Sequence, residues 1–160
     1  TICYLWHQKV IEALVIDDSI QTVVISYRNE EYIDNKEYRY SLTNMILQLI
    51  NANKKIILVL QAPLPGAHIN KYILKSISEH SNNIKGMTKK EWEEIYKPYH
   101  SLLAEIPNNI IVVNPSDFIC DDYDCYVIKD NKALYFDDDH LSVFGSSIIA
   151  HYIISEHILK

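Results

Sequence analysis

Five consecutive apolar residues, Ile56-Ile57-Leu58-Val59-Leu60, stand between Lys55 and a proline-broken segment, Pro63-Leu64-Pro65-Gly66. A strand that faces water on one side alternates apolar and polar side chains, so an unbroken run implies cover on both faces. Val23-Val24-Ile25, within 21–27, and Ile110 to Asn114 share this character. Between these runs, apolar residues recur at helical spacing from Leu5 to Ile16, from Tyr38 to Asn51 and from Ile69 to Glu79. A polar loop is expected after Glu79. Thr88 then stands three residues before Glu91, the spacing of a capping box, and opens a helix predicted to reach Glu105 with Pro98 inside it. A short strand at Tyr126-Val127-Ile128 and a helix from Ser142 through Ile158 complete the pattern. Strands alternating with helices predict a parallel sheet covered on both faces, with functional residues at the C-terminal strand ends. Asn29, Glu30, Gln61 and Asn114 are expected at that edge, with the loop of Asp137 to His140 closing over it.

At 160 residues, with no repeat, linker or break in composition, the chain reads as one domain, 1–160. Its net charge is −6, no basic cluster exceeds two residues, and the pair Lys89-Lys90 runs at once into Glu91, Glu93 and Glu94, so nucleic acid is not an expected partner. No apolar run is long enough to cross a bilayer. The opening Thr1-Ile2-Cys3-Tyr4-Leu5-Trp6 carries no initiator Met, basic segment or cleavage site, and reads as cut from something longer. Cys120 and Cys125 bracket the polar Asp121-Asp122-Tyr123-Asp124. A disulfide closing that loop and a pair of free thiols both fit the spacing. Zinc does not, because a second ligand pair is missing.

Chemistry concentrates in Tyr135-Phe136-Asp137-Asp138-Asp139-His140-Leu141-Ser142. A carboxylate three residues before a His, on a loop, can bend back onto one imidazole nitrogen and leave the other to act as general base. Asp137 is the expected orienter; Asp138 and Asp139 are expected to turn away. A solvated acidic loop and a hard-cation site are the competing readings of the same residues. His68, His80, His100, His151 and His157 are expected to be surface or packing residues. Trp92 and Tyr96, one helical turn apart, are expected to face a core.

The block from Leu134 to Gly145 resembles the last block of SGNH-type serine esterases. More narrowly, it resembles the extracytoplasmic SGNH domain fused to integral-membrane O-acyltransferases that modify bacterial surface polysaccharides. The early strand Thr22 to Arg28, the strand Lys55 to Pro65 with its prolines, and Cys120-x4-Cys125 before the His loop fit the same subgroup. The resemblance implies a three-layer α/β/α sandwich with a mostly parallel sheet, and a Ser-His-Asp triad with Asp137 and His140 as two members. It implies a Cys120–Cys125 disulfide, an extracytoplasmic, membrane-anchored location, and an acyl donor and glycan acceptor as partners. It calls for no cofactor or metal.

Two departures matter. The chain contains no Gly-Asp-Ser, the block that carries the nucleophile on the first strand of such proteins. Asp17-Asp18-Ser19 is a poor substitute: a strand starts four residues later, whereas a parallel neighbour needs a crossover of about a dozen. The first strand and its serine are therefore expected ahead of Thr1, leaving the 160 residues inactive alone. The second departure is the oxyanion hole, for which Ser26-Tyr27-Arg28-Asn29-Glu30 offers no Gly. Asn29 is the candidate donor by position, and Arg28 a candidate to orient a carbohydrate or lock the loop. The expected function is transfer of an acyl group, acetyl above all, to glycan hydroxyls. A free-standing SGNH esterase and a degenerate, non-catalytic glycan-binding domain are the alternatives.

Overall fold

A computed structural model describes residues 2–27 and 32–159. In chain order the elements are α1 (Ile2–Ile16), β1 (Thr22–Ser26), α2 (Lys36–Asn51), β2 (Lys55–Val59), α3 (Ile69–Glu79) and β3 (Ile84–Thr88). There follow α4 (Lys89–Glu105), β4 (Ile111–Val113), α5 (Ser116–Ile119), β5 (Asp124–Lys129), β6 (Lys132–Ala133) and α6 (Val143–Ile153). The chain forms two compact units: Thr1–Gln61 with Lys97–Val113, and Ala62–Tyr96 with Asn114–Lys160.

The first unit is built on a parallel sheet in the order β1-β2-β4. Val24 lies opposite Ile57, and Ile57 opposite Ile111. Central β2 buries Ile56, Ile57, Leu58 and Val59, as an unbroken apolar run requires. Helix α2 presents Leu42, Met45, Ile46 and Leu49 to the core. Its first turn is capped by the Asn35 side chain, which accepts from the N–H groups of Glu37 and Tyr38. Strand β1 differs from the expectation of burial on both faces. Val23 and Ile25 are buried, but Val24 is 46% exposed. β1 and β4 are the two edges of this sheet among the described residues, and Val112 of β4, expected to be covered, is likewise 41% exposed; a β-branched run by itself does not reveal what covers it. Asp17 to Ser19 form the turn from α1 into β1. The buried Lys54 holds that turn by donating to the Asp17 carbonyl at 2.7 Å.

The second unit carries an antiparallel sheet in the order β3-β5-β6. Residues 84–88, expected to be part of a polar loop, form β3 and pair with β5. Gly86 hid this strand, since glycine weakens any strand pattern. Its lack of a side chain is required, because a Cβ there would meet Val127 Cγ2 at 2.5 Å and the Pro65 carbonyl at 3.1 Å. Ile69, Ile84, Ile119, Val127, Ile128, Leu134 and Tyr135 pack into this unit's core. The β5–β6 hairpin turns through Asp130 and Asn131, both at positive φ (51° and 60°), which suits the right-handed twist of the strands. Thr88 and Glu91 cap α4 reciprocally: the Thr88 N–H donates to Glu91 Oε2 at 2.7 Å and the Glu91 N–H to Thr88 Oγ1 at 3.1 Å. Trp92 and Tyr96 are buried, with ring centroids 5.8 Å apart. The last helix is α-helical only to Ile153 and continues as one π-helical turn, Ile154–Ile158.

Cys120 and Cys125 are joined as a disulfide (S–S 2.03 Å) and face each other in an antiparallel bridge. Inside this loop, Asp121 accepts from the Tyr126 hydroxyl at 2.6 Å and from the N–H groups of Asp124 and Tyr123, each at 2.8 Å. Those donors, the hydroxyl first, hold the Asp121 carboxyl down at about 2. Closing so short a loop removes chain entropy worth about 2 kcal/mol. The paired change Cys120→Ser with Cys125→Ser is expected to lower unfolding free energy by about that amount in denaturant titrations. Wild-type protein under reducing conditions should match the double variant.

Candidate active site

The residues singled out by their chemistry lie in the second unit, on a five-residue loop with a closed neck. Tyr135 and Leu141 pair as an antiparallel bridge, and the Phe136 N–H donates to the His140 carbonyl at 2.8 Å. One side of the neck is anchored because the buried Tyr135 hydroxyl donates to the Pro63 carbonyl. The other side runs into α6. The Ser142 N–H donates to the Leu134 carbonyl at 2.9 Å, and its hydroxyl donates to the Ala133 carbonyl at 2.7 Å. The same hydroxyl accepts from the Gly145 N–H at 3.0 Å, capping the helix. Gly145 lets the first turn of α6 lie against the neck, since a Cβ there would fall 2.1 Å from the Leu134 carbonyl oxygen.

Within the loop, Asp137 Oδ1 accepts from the backbone N–H of His140 at 2.8 Å and of Asp139 at 3.1 Å. The same carboxylate spans His140 Nδ1, with Oδ2 at 2.9 Å and Oδ1 at 3.2 Å. Asp137 therefore fixes the loop's backbone and the ring's orientation at once. Its carboxyl is held well below the usual carboxylate range, first by the His140 backbone N–H and then by that of Asp139. The imidazole is 72% exposed, Asp137 25% and Asp139 12%. With Nδ1 engaged, Nε2 lies on the far side of the ring, the position a general base needs.

Asp139 differs from its expectation. It does not turn away: its Oδ1 lies 2.7 Å from His140 Nδ1. The reason is the tightness of the loop. Asp137's bonds to two successive N–H groups fold residues 137–140 into a single turn, which brings Asp139 onto the same side of the ring. The only sequence signal for this was its place directly before the histidine. Asp137, Asp139 and His140 each offer one ligand atom within 4.8 Å of the others, so a cation is geometrically conceivable. It would have to displace the contacts that Nδ1 makes with both carboxylates.

The other residues singled out in the sequence have the following local settings. Arg28, Asn29 and Glu30 lie outside the described residues. Gln61 is buried and accepts from the Tyr99 hydroxyl at 3.2 Å. Asn114 Oδ1 accepts from the Ser116 N–H at 3.2 Å. Ser19 donates its hydroxyl to Asp17 Oδ1 at 2.6 Å within the turn before β1, at the N-terminal edge of the parallel sheet. His68 caps α3, its ring nitrogen accepting from the Asn70 N–H at 3.3 Å.

A parallel sheet whose strands alternate with helices along the chain, and an Asp-x-x-His loop just before a C-terminal helix, place the chain among α/β proteins. The chain belongs to the SGNH domain family (fused to AT3 domains), whose model matches residues 1–155. Its fold is similar to that of the periplasmic domain of a lipopolysaccharide acetyltransferase from Salmonella ser. Paratyphi A, with a TM-score of 0.62 and 18% sequence identity. That match covers 86% of this chain and 57% of the Salmonella structure, so the chain spans little more than half of that domain's length. No curated protein matches the chain.

Two outcomes follow from the loop. Gly145→Ala must push α6 away from Leu134 and is expected to destabilise the protein by about 1–3 kcal/mol, read as a lowered denaturation midpoint. The folded-state pKa of Asp137 is depressed, so its contribution to stability is complete above the unfolded value of about 4 and is lost as pH falls through the folded value. The backbone N–H of His140 should therefore stay protected from exchange at pH 4 and lose protection only in stronger acid. Loss of protection between pH 6 and 5 would contradict the Asp137 contacts.

Proposed function

We propose that this chain, as one SGNH-like domain over 1–160, serves an O-acyltransferase that moves an acyl group, acetyl in the first instance, onto hydroxyls of a cell-surface glycan. The observation that carries the reading is the Asp137 carboxylate lying across His140 Nδ1 while two backbone N–H groups fix it. Membership of a family fused to AT3 domains supports an integral-membrane acyltransferase as the covalent partner. The Cys120–Cys125 disulfide and the likeness to a periplasmic domain favour an extracytoplasmic location. None of the described helices is long and apolar enough to cross a membrane, so in this reading the anchor is the partner domain.

In the proposed mechanism, His140 Nε2 takes the proton from a serine hydroxyl as its Oγ attacks the acyl carbonyl. Asp137, with Asp139 beside it, stabilises the imidazolium that forms. The proton passes to the donor's leaving group and an acyl-serine remains. His140 then deprotonates the acceptor hydroxyl, which attacks the acyl carbon, and the proton returns to the serine. No Gly-Asp-Ser occurs in these residues and Ser19 serves a turn, so the serine is assigned to another part of the intact protein. Asn29 as oxyanion donor and Arg28 as a glycan or loop contact belong to the proposal on sequence position alone.

The test is turnover of the intact, membrane-fused protein on an acyl-ester substrate. His140→Ala is expected to lower kcat/KM by about 10²–10⁴-fold. Asp137→Asn should cost more than Asp139→Asn, because only Asp137 also fixes the loop backbone. An unchanged rate for His140→Ala would end the triad reading and favour a non-catalytic glycan-binding domain.

A further inference from the structure

A second feature lies in the first unit, in a cavity of about 470 Å³ between α1, α2 and the end of β1. Its size falls within the range of about 300–1,000 Å³ usual for small-ligand sites. Tyr27, Tyr38 and Tyr40 supply aromatic surface, while Gln8, Asn44 and Gln48 supply amides that both donate and accept. Among the described residues lining it, none is an Asp, Glu, Lys or Arg. The Tyr27 ring is held before any ligand arrives: its hydroxyl is 2.6 Å from His7 Nε2, and the two rings stand edge to face at 5.9 Å. The same hydroxyl lies 4.0 Å from Met45 Sδ. Burial raises the pKa of Tyr38 to about 12 and that of Tyr27 in the same direction, so both phenols stay neutral at physiological pH.

We propose that this cavity binds a neutral sugar residue, with a tyrosine ring against the sugar's C–H face and the three amides on its hydroxyls. A hexose ring has an apolar face and an equatorial rim of hydroxyls, each both donor and acceptor. The cavity matches both halves of that pattern. A phosphorylated or nucleotide ligand would call for Lys or Arg, which the described lining does not supply. A plain acyl chain would leave three amides without partners, at a desolvation cost. The binding stands on the cavity alone and does not depend on the acyl-transfer reading.

Saturation-transfer NMR on the intact protein with methyl glycosides of glucose, N-acetylglucosamine and rhamnose tests it, with octanoate as the apolar control. At least one glycoside should receive saturation on its ring protons, and octanoate should not compete with it. Tyr38→Ala is expected to weaken that glycoside about tenfold, the upper end for one aromatic contact. Gln48→Ala, at an exposed helix position, should weaken it about fivefold with an unchanged melting temperature, which keeps the test independent of folding. His140→Ala should leave sugar binding intact while lowering turnover by about 10²–10⁴-fold. Sugar binding without acyl transfer would remove the acyl-transfer reading and leave the cavity assigned. Binding of octanoate in place of sugars, absence of saturation transfer from every glycoside, or binding indifferent to both cavity variants would overturn the proposal.

Discussion

The candidate site depends on one carboxylate serving two kinds of donor. Asp137 accepts from two successive backbone N–H groups and also spans His140 Nδ1. Either set alone would leave a gap. Backbone bonds without the ring would order the loop but let the imidazole rotate, since it is 72% exposed. A ring contact without backbone bonds would be an exposed ion pair, worth little and easily screened. Coupling the two makes ring orientation a property of the backbone, which the Tyr135–Leu141 neck and the Tyr135 hydroxyl tie to the packed part of the unit.

The parallel sheet and the Asp-x-x-His pair were legible because each rests on a short-range rule. An apolar run of five residues admits few alternatives to a covered strand. An Asp three residues before a His on a loop can reach back by geometry alone. What was not legible depended on contacts distant in sequence. Residues 84–88 read as loop because Lys85 and Gly86 break the apolar pattern, and the need for Gly86 shows only once Val127 and Pro65 are packed against it. The exposure of Val24 likewise reflects what lies over β1, not the residues of β1. Asp139 was misread for a subtler reason. Its direction follows from the turn that Asp137 imposes, a consequence of hydrogen bonds and not of spacing.

The Asp121 and Asp137 loops solve the same physical problem in the same way. Each follows a buried segment, must reverse direction within a few residues, and leaves backbone N–H groups without sheet partners. In each, one aspartate gathers two of those donors and adds a side-chain donor, Tyr126 in one case and His140 in the other. Both carboxyls are consequently held below their ordinary range. The difference lies in the third donor. A tyrosine hydroxyl finishes a structural turn, closed further by the Cys120–Cys125 disulfide. An imidazole in the same position has a second nitrogen, the one to which the proposed mechanism gives the proton transfer.

In the proposed mechanism, that comparison gives Asp139 more weight than its place in the sequence suggests. A general base works best if the charge it acquires is stabilised where it forms without any group having to move. Asp137 is already committed to backbone donors, which draw on its charge and limit what it can offer the ring. Asp139, 12% exposed and 2.7 Å from Nδ1, adds a second carboxyl group at the same nitrogen. The backbone N–H groups of His140 and Asp139, both donating to Asp137 Oδ1, help to hold the two acidic side chains on one side of the ring. In that mechanism the loop holds its countercharge ready, and the energy for doing so comes from the fold of the loop itself.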